Sequence, residues 1–152
     1  MEESIDKNHC ENLTESIWGN LPVGEINPRQ LSPLVLAYIG DCVYDLVIKT
    51  YLLGFGNMPV NKINHHSSSL VKAHTQSEMI GFIEEELTEE ELSYYKRGRN
   101  AKSYTSAKNA TINDYRRATG FEALMGYLYL DGQYDRMVKL IKSGLEKIGE
   151  LS

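Results

Sequence analysis

No run in the 152-residue sequence approaches the roughly 18 consecutive apolar residues that a membrane span requires. The opening stretch "MEESIDKNHCENLTES" is acidic and polar, so it lacks the basic start of a secretory signal and the Arg-rich character of a transit peptide. Cysteine is scarce: Cys10 and Cys42 lie far apart and outside any metal-binding spacing, which points to a reducing, cytoplasmic setting. Internal repeats, low-complexity segments and dividing linkers are absent, as is the β-branched alternation of strands. What remains is one all-α domain, long enough to bury a core without staples.

Charge of one sign is also lacking where it would matter most. The net charge is −5, but residues 1–15 hold five acids against one Lys, leaving the body near −1. Six glutamates crowd residues 84–91, whereas residues 96–117 hold seven Lys or Arg against the single acid Asp114. The total conceals a basic patch.

Helical periodicity runs through most of the chain. Residues 1–24 read as an acidic arm, and Pro22, Gly24, Asn27 and Pro28 as a loop. Residues 31–53 form the strongest helix, with Ser32-Pro33 as its cap and first turn. Leu31, Leu34, Val35, Tyr38, Ile39, Cys42, Val43, Leu46, Val47 and Leu53 make one continuous apolar face on it. A helix from Val60 to about Glu86 breaks near His74-Thr75, with Ile63, Leu70, Val71, Met79, Ile80 and Ile83 toward the core. The capping box from Thr88 to Glu91 opens a helix toward Arg97, after which "GRNAKSYTSAKNATI" reads as a loop. A helix from Asn113 or Asp114 to Leu130 turns Ala118, Phe121, Leu124, Met125 and Leu128 inward, and a last one follows from Tyr134.

Two carboxylates stand out. Asp41 sits at the edge of the first apolar stripe, beside Gly40, which lets another backbone or a ligand come close. Glu122 is flanked by Phe121 and Met125 and shares its face with Thr119 and Gly126. Acids on rigid helices beside small residues suit a hard divalent cation. A solvated acid, or one paired with a neighbour as Asp45 can pair with Lys49, is the plainer alternative, and spacing alone does not bring the two helices together.

"YIGDCVYDLVIKTYLL" resembles the signature helix of the ribonuclease III family, E-x-L-E-F-L-G-D-A-V-L-E, and "TGFEALMGYLYLDG" is similar to its second catalytic stretch, D-x-F-E-A-L-x-G-A-x-Y-L-D-G. The resemblance covers roughly residues 25–150, with both motifs in order. With "KRGRNAKSYTSAKNATINDYRRATGFEAL" and no double-stranded-RNA-binding domain expected beyond residue 152, it resembles the stand-alone Mini-ribonuclease III branch. The resemblance implies a helical homodimer with paired sites, dependence on Mg²⁺ (Mn²⁺ substituting), and cleavage of double-stranded RNA to 5′-phosphate and 3′-hydroxyl ends. It further implies maturation of the 23S ribosomal RNA precursor. Asp41 and Glu122 fall on family catalytic and metal-holding acids. Asp45, one turn on, would support the site through Lys49 or a water on the metal. Two other family acids are replaced by Ala37 and Thr119, which leaves the number of ions open and motivates an alternative: a non-catalytic RNA-binding or adaptor protein on the same fold.

RNA would be held by the body itself. Lys96, Arg97, Arg99, Lys102 and Lys108, with Asn100 and Ser103, can contact phosphate and sugar, and Arg116 and Arg117 can approach the metal side. A solvated basic face is the competing reading. His65, His66 and His74 lack further ligands at zinc spacing and read as surface residues. Tyr94, Tyr95, Tyr104 and Tyr115, interleaved with the basic residues, read as packing.

Overall fold

Short-range capping sets most helix boundaries. In the computed structural model, residues 12–101 and 111–151 are described. Asn12 accepts from the backbone N–H of Glu15 at 2.9 Å and starts α1, Leu13–Asn20. Ser32 caps α2, Pro33–Leu53, whose first residue is the proline expected there. Thr88 and Glu91 complete the predicted capping box at the head of α5, Glu89–Asn100. Thr111 caps α6, Ile112–Leu130, through the N–H of Asp114 at 3.0 Å, and Gly132 in the left-handed region (φ 79°) follows its end. Between these lie α3, Val60–Val71, and α4, Ala73–Ile83; α7, Tyr134–Lys147, closes the chain. No strand occurs among the described residues, so the all-α expectation stands.

The architecture is a bundle around one central helix. From Ala118 to Leu128 every residue of α6 except Glu122 is buried. Such a helix cannot be amphipathic, because it packs on α2, α4, α5 and α7 at once. Phe121, Leu124, Met125 and Leu128 fill the core, as predicted, against Leu36, Ile48, Met79, Ile80 and Tyr95.

Several boundaries and faces differ from the sequence reading. α5 continues through Gly98 to Asn100, because Gly98 fits against Gly120 and Ala123 where a side chain would collide. Residues 98–100 are therefore helical rather than loop. The break between α3 and α4 falls at Lys72, not at His74-Thr75, and α6 begins at Ile112. The acidic arm contains a helix, α1, tied to the body by a 2.7 Å hydrogen bond between the Thr14 hydroxyl and Tyr134. On α2, the buried residues are Leu36, Ala37, Gly40, Val43, Tyr44, Ile48 and Leu52. Leu34, Val35, Tyr38, Cys42, Leu46 and Leu53 from the predicted apolar face are exposed instead. The helix is apolar on both sides, and only one side meets α6.

Candidate active site

The two acids meet because two glycines let their helices touch backbone to backbone. A Cβ on Gly40 would lie 1.7 Å from the carbonyl oxygen of Glu122, and one on Gly126 would lie 2.0 Å from that of Leu36. This reciprocal contact between α2 and α6 places Asp41, the next residue on α2, within hydrogen-bonding reach of the Glu122 side chain. The oddity of a glycine in mid-helix is thus a steric requirement of the crossing.

The pair is electrostatically tense. Asp41 is exposed and Glu122 half-buried. Burial, then the charge of Asp41 and the hydrogen bond with it, push the Glu122 carboxyl from 4.5 up to about 8, opposed by the Gln76 amide. Gln76 donates to Glu122 Oε2 at 3.2 Å and to the Val71 carbonyl at 2.7 Å. Below them, Tyr44 donates its hydroxyl to the Leu70 carbonyl at 2.8 Å and meets Phe121 edge-on, with ring centroids 5.2 Å apart. Burial holds its phenol well above the ordinary range.

Beyond Asp41 an open groove of about 360 Å³ runs between α2 and α3, lined by Asp45, Lys49, Asn64, Ser67 and Ser68 among others. Asp45 pairs with Lys49 at 2.8 Å, the partner anticipated for it. Two carboxylates held this close are a site for a cation, since a divalent ion relieves the repulsion that raises Glu122. No cluster of three or more His, Cys, Asp or Glu able to hold a metal occurs among the described residues. A pair of acids therefore fits a hydrated Mg²⁺, which typically takes one or two carboxylates and keeps several waters, rather than a closed cage.

Compared with protein-family models, residues 34–133 match the Ribonuclease III domain, a segment that contains both acids and the glycine crossing. The chain belongs to the ribonuclease III family. Among curated relatives, Mini-ribonuclease 3 of Clostridium tetani is 50% identical over 115 residues, which cover 75% of this chain and 76% of the relative. Mini-ribonuclease 3 of Thermoanaerobacter sp. is 46% identical over 142 residues, 91% of this chain and the whole of the relative. A crystal structure of a Fusobacterium nucleatum protein superposes with a TM-score of 0.72 at 30% identity, over 78% of this chain and 91% of that one.

The two positions where the resemblance expects further acids carry none. Ala37 is buried, and Thr119, also buried, donates its hydroxyl to the Tyr115 carbonyl at 3.0 Å. The basic residues divide by location. Lys96, Arg97 and Asn100 are exposed on one face of α5 and line a shallow depression with Glu89, Leu92 and Ser93. Arg97 lies over the Tyr94 ring at 5.3 Å and Arg99 over Tyr95 at 5.5 Å, so the tyrosines that read as packing also support guanidinium groups. Arg116 is exposed, whereas Arg117 lays its guanidinium over α4 at Gly81, where a Cβ would come within 2.1 Å of it. Lys102, Ser103 and Lys108, with Tyr104, lie outside the described residues. His74 bonds Asp114 at 3.0 Å and His66 bonds Glu150 at 2.9 Å, both as surface ties between elements. No helix among the described residues is long and apolar enough to cross a membrane.

Sequence reasoning passed over Gln76. An amide in the stretch "KAHTQSEM" carries no spacing signal, and only the fold reveals that it meets Glu122.

Proposed function

We propose that this ribonuclease III-type endoribonuclease hydrolyses double-stranded RNA with Mg²⁺, held by Asp41 and Glu122, and leaves 5′-phosphate and 3′-hydroxyl ends. The observation that carries the reading is the carboxylate pair fixed across the Gly40–Gly126 crossing, with Glu122 driven toward its protonated form. When bound, the ion supplies Lewis acidity to a phosphate oxygen and lowers the pKa of water. Asp41, on the exposed side, and Glu122, in its ionised form, would hold the ion between them. Asp45 and Lys49 keep the groove wall next to Asp41 polar, and their mutual pairing leaves Asp41 to the ion. Lys96, Arg97, Arg99 and Asn100 on α5, with Arg116, hold backbone phosphates and 2′-hydroxyls of A-form duplex, joined by Lys102, Ser103 and Lys108 of the following segment. Arg117, half-exposed with its guanidinium against Gly81 of α4, would hold phosphate nearer the acid pair.

The likeness to proteins named Mini-ribonuclease 3 supports a cytoplasmic role on ribosomal RNA, with the 23S precursor ends as substrate. Cutting both strands calls for two sites, and the exposed apolar row Val35, Tyr38, Cys42 and Leu46 on α2 supports a homodimer that pairs this face with its copy.

The test is cleavage of a long RNA duplex in Mg²⁺ by the parent and by Glu122→Gln. Cleavage by the parent alone, with 5′-phosphate ends, is expected. Duplex binding without turnover by either protein would replace the enzyme with the adaptor reading that Ala37 and Thr119 motivate.

A further inference from the structure

Gln76 is 1% exposed, on α4 among the buried residues Thr75, Ser77, Met79, Ile80 and Ile83. Packing alone would place Leu or Met there. The amide oxygen Oε1 is buried with no hydrogen-bond partner among the described residues, so the side chain stays in place despite an uncompensated polar atom. What the residue supplies is its other end.

Both hydrogen-bond partners of that end are acceptors: the Val71 carbonyl at 2.7 Å and Glu122 Oε2 at 3.2 Å. A flipped amide would set its oxygen against the Val71 carbonyl oxygen, so that carbonyl fixes the orientation. The Val71 carbonyl belongs to the last residue of α3, where the chain turns through the extended Lys72 (φ −69°, ψ 156°) into α4. A helix-terminal carbonyl lacks an intrahelical partner, and the shorter hydrogen bond to it anchors the amide. The remaining N–H then reaches across to α6 and fixes one oxygen of Glu122.

We propose that Gln76 is a positioning residue for the cation site: it ties Glu122 Oε2 to the α3–α4 corner and so holds that carboxylate in the orientation that receives the ion. The inference rests on the reading of Glu122 as a metal-holding residue. It assigns to a buried amide part of the order that two further acids would have supplied at Ala37 and Thr119. Outer partners of this kind typically change metal affinity by about 10–100-fold when removed.

The experiment measures Mn²⁺ binding to the RNA-free protein by titration calorimetry, for Gln76→Leu and Gln76→Met. Both remove the donor and keep the volume, and the unbranched Met also keeps the length should Leu disturb folding. Glu122→Gln and Thr75→Val run beside them. Thr75 ties the same corner, donating to the Ser69 carbonyl at 2.6 Å, without touching Glu122. The expected result is Mn²⁺ affinity lowered about tenfold or more in both Gln76 variants and unchanged in Thr75→Val. In cleavage assays kcat falls while KM for duplex RNA holds. Gln76 variants that bind Mn²⁺ like the parent while Glu122→Gln does not would overturn the positioning role alone. An equal loss in Thr75→Val would reduce Gln76 to a brace of the corner and overturn it too. Parental binding by Glu122→Gln would instead sink the metal reading itself.

Discussion

Glu122 gives the metal-free protein a pH dependence of unusual sign for a carboxylate. Its folded pKa, about 8, lies above the ordinary 4.5, so between these values the folded state holds more protons than the unfolded one. Stability is therefore full below about pH 4.5 for this group and declines as pH rises toward 8, the reverse of a salt-bridged acid. Thermal melts in a chelator should show Tm falling across that window, and Glu122→Gln should flatten the slope. Saturating Mg²⁺ should flatten it as well, because the ion takes over the proton's role; a slope indifferent to Mg²⁺ would count against cation binding at this pair. Asp41→Asn removes the neighbouring negative charge that helps raise Glu122, which should then titrate closer to its ordinary value, and carboxyl NMR can read this.

At the scale of elements, the α2–α6 crossing is the most sensitive place in the fold. Gly40→Ala drives a methyl into a backbone carbonyl that no rotamer change can move, so it should cost at least about 1–3 kcal/mol in urea unfolding and disorder the acid pair. Gly19→Ala on α1, where a methyl meets nothing within 4 Å, should be neutral or stabilising by up to ~1 kcal/mol. The contrast explains what could be read in advance. Caps at Ser32 and Thr88 are local chemistry and were legible, as were the inward residues of α6. The orientation of α2 was not, since a helix apolar on two faces gives no sign of which one its neighbour covers. The extent of α5 is not legible in the sequence, because Gly98 looks like a helix end until Gly120 is placed opposite it. Asp41 and Glu122 could be picked out as candidates, whereas their contact needed the fold and Gln76 needed it entirely.

For the whole molecule, the uncovered α2 row and the α5 cations make separable predictions. Tyr38→Glu with Leu46→Glu should yield a monomer in sedimentation velocity with α-helical content intact, since both side chains are already exposed in the single chain. A parent that sediments as a monomer would remove the paired-site picture. Each of Lys96, Arg97 and Arg116 changed to Ala should weaken duplex binding and lower the salt-dependence slope by roughly one contact, while leaving metal binding alone. Salt titrations with Ca²⁺ in place of Mg²⁺ would read this without cleavage.

The central position of α6 also governs when this chain can become a protein during its synthesis. α2, α4 and α5 find their shared packing partner only in residues 112–130, and α7 follows it, so everything made earlier lacks a centre to gather around. The chain therefore acquires its core late, and the segment that brings the core is the one that carries Glu122. A nascent fragment stopped before that point is a target for chaperones and proteases rather than a weak nuclease, and folding and competence arrive in one step.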